Sequence, residues 1–466
     1  MRTISLSFFL CINYFILQAQ EKNVQYIGWK SSYIELHTIG NKQQTCTFIL
    51  GKDSVKAFLV KSNAIAIELF TIPHAFEEKF LGGFIKDGTI YLFMDNALKP
   101  GLHSWCYNIE NKVITENVVP FELKNEKIIN RISSANHFFY FTLNKKTSEF
   151  VIYKFNNERY YDTTRYPFDP NVWEDLKSIK RQSTVNERKI SIERADMEGE
   201  CDINIAQDSR KLYVHNDTLF LLINNVKNVT TIYTFDLTNN KMDHRIIVHE
   251  NDDSRNDPLV CNSFLLRNNL YYASASNNNL FLQIVDFYTG DILKEFKANR
   301  NEEISFKNTP ITLQRDVTFA GREKELGKTK QLLDKMTNGS VVIIATPNDA
   351  KNEIELLVGS YEEVSSYGGG GGMWMAGGGT ATPMFVPNGG FSSGSWGKSA
   401  HFKMLINADN YDHINGIITP SINDRINDFT KGIKMPAEGE NLFVINGNYY
   451  YAYYDKNKRD FTIVKL

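Results

Sequence analysis

Between residues 367 and 397 the chain reads YGGGGGMWMAGGGTATPMFVPNGGFSSGSWG, which sets Met373, Trp374, Met375, Phe385, Phe391 and Trp396 among glycines. A plain linker has no use for these side chains. Large aromatics can anchor a contact by about 2 kcal/mol or more each when a partner buries them, and methionine adapts to irregular surfaces. The expected chemistry is therefore binding: a flap whose anchors dock on an envelope protein, a glycan or a lipid surface. The same stretch contains GFSSG (Gly390–Gly394), which has the G-x-S-x-G spacing around Ser392. A nucleophile elbow needs a strand before its serine and a helix after it, and neither fits a Gly/Ser-rich setting.

Other motifs fail on spacing. GSWGKS (Gly394–Ser399) and GREKELGKT (Gly321–Thr329) end like phosphate loops, but each lacks the first glycine of G-x-x-x-x-G-K-[ST]. ENDDSRND (Glu250–Asp257) and DKNKRD (Asp455–Asp460) are rich in oxygen donors without the ligand order of a calcium loop. The nine histidines form no HxxxH or HExxH pair, and no Cys/His spacing suggests zinc. The sequence therefore assigns no catalytic residue, no metal ligand and no cofactor.

The elements that would position a binding segment come from self-similarity. Five stretches show an apolar strand, a tight Asn/Asp/Gly turn and a longer aromatic strand: GGFIKDGTIYLFMDN, RISSANHFFYFTLN, RKLYVHNDTLFLLINN, NSFLLRNNLYYASAS and NLFVINGNYYYAYYD. Asn, Asp and Gly tolerate the positive φ of two-residue hairpins. A third strand of related pattern follows, as in Glu149–Phe155, Leu280–Phe287 and Asp460–Leu466. The middle strands are apolar on both faces, which suits a strand sandwiched between neighbouring sheets. Repeated four-stranded antiparallel units are the blades of a β-propeller. The fold class expected is all-β, with seven blades if the strands before Ile72 form one of their own and six otherwise. Two β-sandwich domains are the alternative.

The last repeat runs out at Leu466 after three strands, so a segment between Val24 and Ile39 is expected to supply the fourth. Insertions are expected at 167–200, where Asp169-Pro170 opens a short helix, at 322–339, a helix with Leu326, Leu333 and Met336 on one stripe, and at 366–398, the glycine-rich flap. In the blade spanning about 310–415, Ser340–Pro347 and Glu353–Tyr361 read as its second and third strands. That places the flap between the third and fourth.

Residues 1–19, MRTISLSFFLCINYFILQA, carry one leading Arg and an apolar core too short to span a bilayer comfortably, and Ala19 suits cleavage. The expectation is a signal peptide followed by one propeller domain over 20–466, with no later transmembrane span. Four cysteines then remain: Cys46, Cys106, Cys201 and Cys261. They allow three disulfide pairings, although a core this large does not need them. Charge is balanced, with Lys+Arg 52 against Asp+Glu 54 and a formal net charge of −2. Without a basic surplus, nucleic acid is not an expected partner. Hydrophobic residues at 42% and a mean hydropathy of −0.34 describe a globular chain.

The LQAQ end of the leader, the Asn/Lys/Tyr-rich blades and the Gly/Met-rich insertion before Lys398–Lys403 resemble exported proteins of Bacteroidetes-type bacteria. The resemblance implies a periplasmic or cell-surface setting and no particular activity. The function expected is a non-enzymatic binding or scaffold propeller of the cell envelope. A glycan-acting hydrolase or lyase with a central-channel site is the alternative.

Overall fold

Apolar runs joined by tight turns fold into seven sheets, each built on four antiparallel strands. The computed structural model describes residues 22–466 apart from 30–33, 41–43, 74–77, 97–100, 135, 145, 169–192, 196–200, 202, 216, 225–227, 250–258, 316–323, 364–396 and 432–436. The expected signal peptide over 1–19, the 169–192 part of the first expected insertion and the six expected flap anchors lie outside the described residues.

Strands A to D run from the inner edge of each blade to its outer edge. Blade 1 comprises Glu35–Gly40, Thr45–Leu50, Ser54–Val60 and Ala66–Pro73. Blade 2 comprises Glu78–Lys86, Thr89–Asn96, Leu102–Asn108 and Val113–Val119, and blade 3 Glu126–Ser133, Phe138–Asn144, Glu149–Phe155 and Tyr161–Pro167. Blade 4 holds Arg210–His215, Thr218–Ile223, Val229–Asp236 and Lys241–Val248, and blade 5 Val260–Leu266, Asn269–Ala275, Asn279–Asp286 and Ile292–Asn299. The A–B turns of blades 2 and 7 place both central residues at positive φ, Asp87 with Gly88 and Asn446 with Gly447. This is the hairpin geometry that Asp-Gly and Asn-Gly favour.

Burial follows the layering. Every residue of strand B in blade 3 is buried, whereas strand D of blade 2 is exposed along most of its length. Five apolar clusters join consecutive blades. Phe48 and Leu50 pack on Ile90, Leu92 and Met94 between blades 1 and 2. Phe93 stacks on Phe138 at 5.0 Å between blades 2 and 3, and Phe150 on Phe235 at 4.9 Å between blades 3 and 4. Tyr213, Phe264, Tyr271, Val342 and Val358 run through blades 4 to 6. Leu36 and Phe58 meet Phe443, Tyr454 and Phe461 between blades 1 and 7.

Blade 7 consists of Ala437–Ile445, Asn448–Asp455 and Asp460–Lys465. Its fourth strand is Lys22–Tyr26, registered Lys22↔Val464 to Tyr26↔Asp460, so the two ends of the described chain close the ring. The closing strand falls at the start of the expected stretch and slightly before it. Backbone N–H groups of Ile27 and Gly28 donate to Arg459 O, and Tyr454 donates its hydroxyl to Trp29 O at 2.6 Å.

Blade 6 corrects the sequence reading. Its inner strand A is Ser340–Asn348, B is Glu353–Glu363, C is Gly397–Asn407, and D is Ile311–Arg315, supplied from before the blade. Lys324–Leu326 adds a fifth, outermost strand. Each run therefore sits one position further in than expected, and 349–352 is an A–B turn. The Arg267–Asp349 ion pair at 2.7 Å ties it to the A–B turn of blade 5 on the same face.

The helix expected at 322–339 is α1, Thr329–Asn338, preceded by that short strand; Leu326, Leu333 and Met336 are buried. A second helix, α2 (Ile422–Lys431), was not anticipated. It lays Ile422 and Ile426 on Leu442, Tyr451 and Val464, covering the face of blade 7 turned away from blade 1. Ser421 caps it: Asp424 N–H donates to Ser421 Oγ at 3.1 Å, and Ser421 N–H to Asp424 Oδ2 at 2.9 Å.

Candidate functional site

The shifted strand order of blade 6 moves the flap to the other face of the ring. Strands B and C pair without interruption from Glu353↔Asn407 to Glu363↔Gly397. Residues 364–396 therefore leave from a B–C connection, on the face that also carries the B–C loops of the other blades. At eleven residues each, these two are the longest described strands. Met373, Trp374, Met375, Phe385, Phe391 and Trp396 all belong to the connection they bracket.

On that same face, a buried polar node occupies the inner seam of blades 4 and 5. Lys211, from strand A of blade 4, is fully buried and donates through Nζ to Asn262 Oδ1 at 2.6 Å and to Asp208 O at 2.5 Å. The Asn262 amide nitrogen donates to Ala206 O at 3.0 Å, Gln207 O at 3.1 Å and Val341 O at 2.8 Å. One carboxamide thus holds blade 5, blade 6 and the segment leading into blade 4. That segment adds the parallel strand Glu193–Ala195 inside Arg210–His215, on the channel side. Ser263 and Thr230 both donate to Asn224 Oδ1 at 2.8 Å, and Thr230 Oγ1 lies 2.9 Å from His249 Nε2. Since that hydroxyl already donates to Asn224, the imidazole supplies the proton to it. The His249 ring stacks on Tyr272 at 3.6 Å.

Burial in this node suppresses charge. It pulls Lys211 down to about 8, although the Asp208 carboxylate and the Cys201 and Cys261 thiols work the other way. It pulls His249 down to about 4. The unfolded chain holds the lysine proton up to its ordinary value near 10.5, so between the two values it binds more protons than the folded protein, and stability rises with pH there. Relative to Lys211→Met, the wild type should gain about 2 kcal/mol between pH 8 and 9.5. Urea midpoints of both proteins at the two pH values check this, and a parallel pH dependence would mean that Lys211 is not the titrating group.

Carboxylates head the inner strands of blades 1, 2 and 3, and each is turned into its own blade. Glu35 Oε2 lies 3.0 Å from His37 Nε2. Glu126 accepts from Thr142 Oγ1 at 2.6 Å, from the Tyr153 hydroxyl at 2.7 Å and from Arg165 at 3.1 Å. Burial and this carboxylate keep the Tyr153 phenol protonated well above its ordinary range. Glu78 faces His103 on strand C. In blade 7, burial pushes Glu440 up to about 7, against the opposing pull of the nearby Tyr451 hydroxyl. None of Cys46, Cys106, Cys201 and Cys261 is in a disulfide, and among the described residues no helix is long and apolar enough to cross a membrane.

The fold defines a seven-bladed β-propeller. No protein-family model and no curated protein matches the chain. Similar solved structures include an oligogalacturonate lyase in complex with manganese, 8% identical, covering 96% of this chain and 94% of that one with a TM-score of 0.35. A streptogramin B lyase is 10% identical over 95% and 97% of the two chains, with a TM-score of 0.31. An uncharacterized protein from Listeria monocytogenes is 9% identical over 94% and 96%, with a TM-score of 0.36.

Proposed function

We propose that this chain is an exported, non-enzymatic binding propeller of the bacterial cell envelope, which presents residues 364–396 to an envelope protein or glycan. The observation that carries this reading is the uninterrupted B–C ribbon of blade 6, whose last pair, Glu363↔Gly397, delivers the segment to the B–C face. The ring acts as a rigid mount, and Trp374, Trp396, Phe385 and Phe391 are the anchors, with Met373 and Met375 as adaptable filler. Ordering a glycine-rich segment costs conformational entropy, which burial of a few aromatic anchors offsets.

Changing both Trp374 and Trp396 to Ala should leave the melting curve intact and weaken binding of the partner, read by pull-down from envelope membranes, by about thirtyfold or more, on the order of 2 kcal/mol or greater. Unchanged recovery would reduce the segment to a tolerated insertion, and a collapsed melting curve would place the tryptophans in the core. A glycan-acting hydrolase or lyase is the second reading, favoured by the carboxylates that head strands A of blades 1 to 3. Against it stands their engagement: Glu35 and Glu126 already hold His37, Thr142, Tyr153 and Arg165.

A further inference from the structure

The inner seam of blades 4 and 5 sets a buried amine against a buried carboxamide. Lys211 is 0% exposed and Asn262 1%. Lys211 Nζ lies 2.6 Å from Asn262 Oδ1. At an ordinary carbonyl angle this contact puts Nζ about 3.4 Å from Asn262 Cγ, within the range of a near-attack pair. Rotation about the last bonds of the lysine carries Nζ from the lone pair of the oxygen to the face of the carbonyl carbon. The surroundings polarise that carbonyl. Besides the lysine, Oδ1 accepts from the Ser263 backbone N–H at 2.9 Å and from the Asn224 amide at 3.4 Å. Two fixed donors aimed at an oxygen that gains charge are the elements of an oxyanion hole. On the other side, the acceptors Ala206 O, Gln207 O and Val341 O hold Nδ2 in place and favour a nitrogen that gains protons. Burial brings Lys211 down to about 8, which at neutral pH raises the share of free amine by about 300-fold over an exposed lysine.

We propose that Lys211 and Asn262 join through an intramolecular isopeptide bond, a covalent staple between the inner strands of blades 4 and 5. The Nζ–Cγ bond forms and the Cγ–Nδ2 bond breaks. The lysine ammonium gives up two of its three protons, and the departing nitrogen takes both and leaves as ammonium. Charge balances, and no oxidant or further reactant is consumed. Among the described residues, Asp208 is the carboxylate whose charge acts on Lys211, and it is placed to carry the proton. A neutral secondary amide replaces a buried cation and removes the cost of keeping that charge from water. Three carbonyls then surround the vacated position, which suits one water. The Lys211 titration described above belongs to chains not yet linked.

The test is mass spectrometry of the full chain after incubation at about pH 9, where the free amine predominates. The expected product is lighter by one ammonia. Its tryptic digest should contain a branched peptide that joins residues 211–227 to 256–267 through Lys211 and Asn262. In chains still unlinked, the reaction should run about tenfold slower at pH 7, as the amine fraction falls. Asp208, Cys201 and Cys261 are the titratable groups that act on Lys211 there. Lys211→Arg keeps the positive charge without a competent amine and should yield no branched peptide. A wild-type digest of linear peptides alone overturns the inference, and that result requires no variant to fold. Ammonia loss without this branched peptide also overturns it, since succinimide formation at a pair such as Asn446–Gly447 loses the same group.

Discussion

Deleting Lys22–Tyr26 should destabilise the ring by on the order of 5 kcal/mol, at about 1 kcal/mol net for each inter-strand hydrogen bond lost. The strand makes five registered pairs with Asp460–Lys465. Its own side chains are half-buried or exposed, so little of the loss comes from their burial. The hydrogen-bonded ladder carries the larger part, and the rest comes from what the strand holds. Without it no strand ladder joins the two ends of the ring, only separate hydrogen bonds such as those of Ile27 and Gly28 to Arg459 O, and the outer edge of Asp460–Lys465 is left unpaired as a template for intermolecular strand pairing. The apolar cluster of Phe58, Tyr454, Phe461 and Ile463 between blades 7 and 1 loses its clamp. Deleting 366–396 should leave the melting temperature within a degree or two, because the ribbon that carries it pairs independently of the connection. Melting curves of the two deletions, with light scattering for aggregation, provide the comparison. Equal and small effects would mean that closure by the N-terminal strand contributes nothing.

The propeller class was legible because it rests on local signals, whereas seven blades against six stayed open until the strands before Ile72 were seen to form a blade. Asp-Gly and Asn-Gly turns fix hairpins, and the last repeat pattern shows three strands of a four-stranded unit. The internal order of blade 6 was not legible. Ser340–Pro347 and Glu353–Tyr361 are apolar runs of a kind that suits any of strands A to C, since period-2 patterning reports burial and not position in the blade. The strand that displaced them, Ile311–Arg315, is only five residues long and precedes the blade that it completes. Helix α2 does carry a signal, the S-x-x-D of Ser421 and Asp424 after Pro420, but it is a weak one among strong strand patterns.

The site residues divide in the same way. Glycines around Trp374 and Trp396 mark the flap by composition alone. The Lys211 node joins residues 206–211, 224, 230, 249 and 262–263, and no local pattern links them. A lysine inside the apolar strand RKLYV was the one clue, because a strand buried on both faces must either pair such a charge or suppress it. His103 in LHSWCYN is comparable. Its two carboxylate neighbours come from strands A and D and meet it only through the register of the sheet.

Acid should weaken the fold through its histidines. Burial holds His249 down to about 4, and burial also brings His401 and His137 to about 4, helped by Lys403 at the first and by Lys154 and Lys86 at the second. In the unfolded chain each titrates near 6.5. Between those values the unfolded state binds more protons, so the stability present above pH 6.5 is lost as pH falls toward 4. For His249, which is 2% exposed, the loss amounts to about 3 kcal/mol once pH 4 is reached. Glu440 acts oppositely. Its folded value of about 7 lies above the ordinary 4.5, so its protonated form favours the fold as pH falls between the two. One carboxyl offsets part of what three imidazoles lose. Urea midpoints measured from pH 7 down to 4.5 should therefore fall. The fall should be shallower in His249→Gln, which removes a titrating ring while leaving an amide to reach Thr230, and steeper in Glu440→Gln. A His249→Gln slope equal to that of the wild type would show that this imidazole takes up its proton without opening the blade 4–5 seam.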